Sequence, residues 1–514
     1  MVGGALALFV LFCLLPIGYL LFTSLSLADT ASTALWLDAR QQGLLWNTTL
    51  LGTGTAVIAT AIGAPLGLAL ARIDLPRKAL LRVVLAAPVL LPPYIVALAW
   101  TYLGGSGGLV ATLTGRDLLS TWTYSLPGAI IVLSLVLYPL AMLATVVALR
   151  RVDGRLEEAA LMVAPTGRVL RRITLPLVAP GIAAAALVIF VLAVSEFGVP
   201  GLLRVRVYTT EVFTAFAALY DFSRAIVVAL PLLVLCLVVT VAAAALLGER
   251  LVSTRRGSVA PPIAFDAWRL PAMSLAIAVV TLALIVPLLV LASEAMGART
   301  WSAVVGGSGD AIANSLLLAA AGATLVGSLA VWLGYARARA PGRVGQLADV
   351  LLLVVFAVPS TIVGVGLIGL WNRAGVAGAM YGTDAMFLLA YLARFVPVAT
   401  LAVAASVRSV PVSHEEAAAV AGAGWLRTMG RILLPQIRAG VAAAWVIAFI
   451  LAFGELGVSI LVAPPGEATL PIRIYTIVAN TPSSHVAALA LLQTAVIFIP
   501  LAALSALAAS REAS

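Results

Sequence analysis

Apolar runs long enough to cross a bilayer follow one another along almost the whole chain, the first at 2–27 and the last at 485–509. A hydrocarbon core about 30 Å thick needs about 20 apolar helical residues per crossing. A membrane barrel would instead show short alternating strands, so the chain reads as an all-α polytopic membrane protein. With 63% hydrophobic residues, 10% charged residues and a mean hydropathy of +1.13, it lies outside the range of soluble globular domains.

The runs predict twelve crossings, at 2–27, 46–71, 79–104, 127–149, 180–203, 225–248, 270–296, 313–336, 347–371, 385–407, 440–463 and 485–509. The opening run is too long for a signal-peptide core and lacks a basic leader, so it reads as a first membrane helix. A net charge of +10 does not point to nucleic acid, because basic residues in a membrane chain are read first for topology. With both termini in the cytosol, the cytosolic connections hold most of the 31 Lys and Arg, among them Arg72, Arg77, Lys78, Arg168, Arg171, Arg172, Arg339 and Arg408. The expected arrangement is therefore multi-pass, with the lipid bilayer as surroundings.

The chain also repeats itself. Asn47 and Arg72, 25 residues apart, recur as Asn314 and Arg339; Pro88 and Trp100 as Pro359 and Trp371; Pro139 and Arg150 as Pro397 and Arg408; Glu158 and Glu196 as Glu416 and Glu455. Six crossings per copy give both copies the same orientation, related by an axis along the membrane normal. The expected organisation is a first half at 1–248, a polar linker at 249–269 and a second half at 270–514, with the substrate route between the halves.

Two islands of charge and small residues interrupt the apolar pattern, 157–176 and 415–435. In the second, Glu415 and Glu416 precede Ala417 and Ala418, Gly422 stands six residues after Glu416, Ile432 sixteen after it, and Leu434 and Pro435 close the pattern. The first repeats it with Glu157, Glu158, Ala159, Ala160, Ile173, Leu175 and Pro176, one residue short and with Ala164 in place of the glycine. A carboxylate in the first turn of a short helix suits the helix dipole, and alanines allow another surface to approach. Gly422 can take a positive φ at the turn, and Pro435 is expected to end the following basic helix.

This spacing resembles the cytosolic signature of the membrane subunits of bacterial ABC importers that work with a periplasmic binding protein. The resemblance implies two tandem six-helix ABC importer permease halves, with each island a coupling helix seated in a groove of an ATP-binding cassette subunit. It implies two such subunits on the cytosolic side and a periplasmic substrate-binding protein opposite. No G-x-x-x-x-G-K-[ST] phosphate loop occurs in the chain, so ATP and Mg are expected on those partners, with no cofactor and no enzymatic activity here. The fused pair, with "LLPPYIVALAW", "VSEFGVPGLLRVRVYTTEVF" and "FGELGVSILVAPPGEATLPIRIY", is similar to the ferric-iron branch, whose relatives also carry thiamine or phosphonates. Polyamine is a further cargo of the same importer class.

Three charges fall within the predicted crossings. Glu196, Glu455 and Arg394 each lie about 21–22 Å from the cytosolic end of their run at 1.5 Å per residue. Ionisable groups at such depth are expensive unless paired or hydrated. Either the two glutamates face each other as an acidic station compatible with hard ferric ion, or Arg394 pairs with one of them structurally. Cys13 and Cys236 lie in apolar runs without metal-like spacing, and no metal site is expected. His414 reads as a helix-start residue. A twelve-helix secondary transporter shares the parallel halves but leaves the islands unexplained; a membrane enzyme would need a catalytic cluster, and His414 and His485 are placed on opposite sides.

Overall fold

The computed structural model describes residues 2–26, 38–251, 266–296 and 298–512; most of the expected linker, at 252–265, lies outside them. The described residues form helices and connecting turns, with no strand among them. Among the described residues, eleven helices are long and apolar enough to cross a membrane, and a twelfth candidate is a pair bent by 91°.

In chain order the main elements are α1 (residues 2–26), α2 (Ala39–Arg72), α3 (Lys78–Ala86), α4 (Pro93–Gly104), α5 (Leu126–Leu149), α6 (Gly154–Leu161), α7 (Thr166–Ser195), α8 (Phe222–Leu251) and α9 (residues 266–294). The second copy continues with α10 (Ala298–Arg339), α11 (Gly342–Ala357), α12 (Ser360–Trp371), α13 (Ala385–Arg408), α14 (Ser413–Val420), α15 (Trp425–Phe453) and α16 (Ser483–Glu512).

The chain divides into two compact units that cut across its sequence halves. One contains Leu37–Glu211 and Val234–Gly297; the other contains Met1–Trp36, Val212–Leu233 and Ala298–Ser514. Each is built on the same trio: α2 packs against α5 and α7 in the first, α10 against α13 and α15 in the second. The leading helix of each half is exchanged. In the first unit α9 packs on α2, α3 and α4, and in the second α1 packs on α10, α12 and α13.

Prolines shape the helices through a device that the sequence pattern did not reveal. Four five-residue π-turns, at Val10–Leu14, Leu170–Thr174, Thr281–Ile285 and Met429–Leu433, each precede a pair whose second residue is proline: Pro16, Pro176, Pro287 and Pro435. In each, the residue before the proline donates its N–H to the carbonyl five positions back, as Leu175 does to Leu170 and Leu434 to Met429. The widened turn makes room for the ring where an α-turn would press it against a carbonyl. Pro435 therefore does not end a basic helix. That helix runs through the π-turn into the membrane span, and the spans expected to begin at 180 and 440 begin at Thr166 and Trp425.

Two other spans are broken. Pro359 caps α12, and Val358 before it is extended, as the proline ring requires, so α11 and α12 meet at 91° instead of forming one run over 347–371. In the first half α3 ends at Ala86, a 3-10 turn follows at Ala87–Leu90, and Pro92 caps α4. The capping prolines show that Pro92, rather than Pro88, corresponds to Pro359. The offset of 267 that relates Asn47 to Asn314 then holds through this region.

Within the first unit, α2 approaches α5 at two glycines one turn apart. A Cβ at Gly63 would lie 2.3 Å from the Tyr138 carbonyl oxygen, and one at Gly67 would lie 2.4 Å from that of Met142. Small residues spaced by four allow such close backbone contact in membrane helices. Gly63→Val should therefore destabilise the chain by about 1–3 kcal/mol, read as a lower melting temperature in detergent. Gly306→Ala, where a Cβ meets nothing within 4 Å, is the matched control that should not fall.

Candidate functional site

Each island forms a short helix, a turn and the start of a long helix. In the first, Asp153 caps α6 by accepting the Arg155 N–H at 3.1 Å, and Glu157 lies in the first turn. In the second, Glu415 and Glu416 both lie in the first turn of α14, where the exposed amides favour negative charge. His414 is the second residue of α14 and meets Gln436 at 3.1 Å, as expected of a helix-start residue.

The paired glutamates divide between two tasks. Glu157 is buried: one carboxylate oxygen accepts from Thr174 Oγ1 at 2.6 Å and the other lies 2.8 Å from Arg72 Nη2. The Arg72 contact is an ion pair outside hydrogen-bond alignment, and the same nitrogen reaches the Leu149 carbonyl at 3.5 Å. Glu415 is half-buried and takes Arg339 Nε at 2.9 Å, Arg339 Nη2 at 2.5 Å and the Tyr335 hydroxyl at 2.8 Å. Arg339 also donates to the Val410 carbonyl at 3.1 Å. In both copies the last residue of a long helix thus ties the inner glutamate to a carbonyl at or just beyond the end of another helix, where backbone acceptors lack intrahelical partners. The hydroxyl differs: Thr174 comes from the island itself, Tyr335 from α10, one turn before Arg339.

The outer glutamates, Glu158 and Glu416, are exposed, as are Ala159 and Ala417. Ala160 is half-buried and Ala418 buried, so the alanines serve partly as packing. Ile173 and Ile432 lie half-buried in the π-turns, with Leu175 and Pro176 exposed, Leu434 half-buried and Pro435 exposed. Gly422 adopts φ +75°, and α14 closes with the Gly422 N–H on the Ala419 carbonyl and the Ala423 N–H on that of Ala418. This pairing is the Schellman closure, which needs a left-handed residue where Gly422 stands. Ala164 has no positive φ; its N–H bonds to the Ala160 carbonyl at 2.9 Å and Pro165 leads into α7. The missing residue and the missing glycine in the first copy therefore belong to a different, right-handed turn.

Sequence reasoning missed two features here. Arg72 and Arg339 were visible as a repeat but read only as topology signals, although the repeat of Glu157 as Glu415 offered their partners. Met162 and Val420 occupy matching positions at the outer ends of α6 and α14 and are 85% and 91% exposed, an apolar knob on each island.

The charges near the other helix ends are placed separately in the two units. α7 ends at Ser195, and Glu196 turns its carboxylate onto the Gly198 N–H at 2.9 Å. α15 ends at Phe453, and Glu455 accepts the Val458 N–H at 3.0 Å. The expected spans to 203 and 463 are thus interrupted at the E-x-G-V sequence in both copies. Arg394 Nε lies 3.8 Å from Glu455, and its Nη1 donates at 3.0 Å to the carbonyl of Val358 at the α11–α12 break. Val136 stands at the position matching Arg394.

Removing one member of a buried ion pair leaves the other charge stranded, at a cost of about 3–5 kcal/mol. Arg72→Met should lower the melting temperature strongly, Arg72→Met with Glu157→Met should recover much of the loss, and Glu158→Gln should have little effect. A single variant as stable as wild type would remove the pair as an anchor.

Comparison with known proteins places these features in a family. Residues 63–250 and 328–511 each match the binding-protein-dependent transport system inner membrane component. The chain is 24% identical over 473 residues to an Fe(3+)-transport system permease protein of Haemophilus influenzae, covering 90% of this chain and 89% of that protein. A putative ferric transport system permease protein of the same organism is 23% identical, covering 84% of this chain and 71% of that protein. The molybdenum transport system permease protein of Escherichia coli K12 is 33% identical over 158 residues, 30% of this chain and 69% of its own length. With both copies matched and eleven or twelve spans, the chain belongs to the family of multi-pass inner membrane components of binding-protein-dependent transport systems.

Proposed function

We propose that this chain is the membrane permease of a ferric-iron importer. A periplasmic binding protein delivers the cargo, and two cytosolic ATP-binding subunits, holding ATP and Mg, drive transport through the islands. The observation that carries the choice of iron is the extent of likeness. The ferric relatives align over 90% and 84% of the chain, whereas a molybdenum permease and a spermidine/putrescine permease of Escherichia coli align over about a third. The relatives that share both copies with this chain are thus the ones named for ferric transport, and the distribution of basic residues supports a cytosolic position for both termini.

The islands suit force transfer for a physical reason. A short helix carrying an exposed knob moves a membrane helix only if the connection is stiff. The anchors of Glu157 and Glu415 to Arg72 and Arg339 supply that stiffness, and α7 and α15 continue without a break from the islands into the membrane. Met162 and Val420 present apolar contacts to the ATP-binding partners, with Glu158 and Glu416 beside them.

In this reading Glu196 and Glu455 offer oxygen ligands along the route, in keeping with a hard trivalent ion. Glu455 has a built-in competitor. A cation arriving at its carboxylate displaces Arg394, whose other bond holds the Val358 carbonyl at the α11–α12 bend. Arrival of cargo is thereby linked to the α11–α12 bend.

The test is ATP hydrolysis by the reconstituted assembly with binding proteins loaded with ferric iron, molybdate or spermidine. The iron-loaded protein should stimulate hydrolysis, and Glu158→Arg with Glu416→Arg should reduce that stimulation at least about tenfold by reversing the charge that the islands present to the contact. Stimulation by molybdate or spermidine alone would reassign the cargo while keeping the importer. Transport in liposomes without an ATP-binding partner would replace this mechanism with that of a secondary transporter. For the route, Glu196→Gln with Glu455→Gln should cut iron uptake about tenfold or more while leaving assembly intact; unchanged uptake would remove both from the pathway.

A further inference from the structure

The two copies also differ where their island helices meet α2 and α10. In the second unit, Trp425 at the start of α15 packs against Trp332 and Tyr335 of α10, with ring centroids 5.5 and 5.7 Å apart. The offsets that relate Arg72 to Arg339 and Ile173 to Ile432 put Pro65, Leu68 and Thr166 at the corresponding positions of the first unit. Among the described residues, none of these three positions carries an aromatic side chain. A cavity of about 230 Å3 opens instead between α2, the start of α7 and the start of α9, lined by Leu68, Ile73, Gly167, Leu170, Trp268 and Leu275 among others. Its lining is almost wholly apolar apart from Arg72, whose Nε has no hydrogen-bond acceptor.

Basic side chains surround the wall residues in sequence. Arg168, Arg171 and Arg172 share the segment that supplies Gly167 and Leu170, and Arg269 follows Trp268. All four are exposed, and none is paired with a carboxylate among the described residues. An apolar cavity at the end of membrane helices, an indole on its wall and exposed arginines adjacent in sequence to its wall residues match an amphiphile with a buried tail and an anionic head. A soluble anion would use the arginines and leave the cavity empty; a neutral lipid would use the cavity and leave the arginines without a counter-charge.

We propose that the first unit carries an anionic phospholipid here, with part of one acyl chain between α2, α7 and α9 and the phosphate head among Arg168, Arg171, Arg172 and Arg269. The lipid takes the place that Trp425 takes in the second unit. It thereby braces the first island against α2 as the aromatic cluster braces the second, and the first copy alone becomes sensitive to the lipid around it. The site needs only that the chain lies in a membrane, and it stands apart from the choice of cargo.

Native mass spectrometry of the full chain in mild detergent tests this with dioleoyl phosphatidylglycerol and dioleoyl phosphatidylcholine. One phosphatidylglycerol should be retained per chain, at least about fivefold over phosphatidylcholine. Gly167→Trp should expel it, because a Cβ at Gly167 meets nothing within 4 Å and the indole has room to enter the cavity. Ala272→Phe fills the same cavity from α9 and serves if Gly167→Trp does not fold. Arg168→Ala with Arg171→Ala and Arg172→Ala should reduce the preference between the two lipids to near unity. Equal retention of both lipids by wild type, retention unchanged by either filling variant, or no retained lipid at all would overturn the proposal; the last result would leave the cavity to a protein partner.

Discussion

A backbone in hydrocarbon has no water to complete its hydrogen bonds, so every departure from a straight α-helix must be satisfied from within. The distinctive features of this chain are answers to that constraint. Four prolines are carried through membrane helices by π-turns that move the hydrogen-bond register just before the ring. At the α11–α12 break, the freed carbonyl of Val358 is taken by Arg394. Where α7 and α15 end, the carboxylates of Glu196 and Glu455 turn back to accept the N–H groups of Gly198 and Val458.

The islands follow the same logic where the helices emerge. Arg72 and Arg339 end α2 and α10, where a cation is favoured by the dipole, and each reaches across to an inner glutamate and a neighbouring carbonyl. One side chain per copy thus fixes three elements together. The outer faces of α6 and α14 are left free of structural duty, and there the exposed glutamates and the Met162 and Val420 side chains stand. Anchoring and presentation are separated by a single step along the helix.

The two copies have diverged where their surroundings differ. Thr174 and Tyr335 complete the corresponding carboxylates from different elements, Gly422 and Ala164 close the corresponding helices by turns of different hand, and an aromatic cluster in one unit corresponds in position to a cavity in the other. Arg394 has no counterpart in the first half. Equivalent positions therefore need not have equivalent roles, even though the trio α2, α5, α7 and the trio α10, α13, α15 pack alike.

The sequence by itself determined the helical membrane class, the number of spans, the repeat and the two islands, because hydrophobic run length and residue spacing are properties of the chain alone. Twelve runs and two copies of the Glu-Ala-Ala pattern leave little else to fold into. It did not reveal that α1 and α9 are exchanged between the units, since an apolar helix carries no mark of which apolar neighbour it will meet. Nor did it reveal the breaks at Pro92 and Pro359, the passage of helices through Pro176 and Pro435, or the end of helices at Glu196 and Glu455. In each of these, a local signal has two outcomes, and the choice rests on how the freed backbone is satisfied. At the α11–α12 break only the tertiary structure decided that, by bringing Arg394 to the Val358 carbonyl 36 residues away.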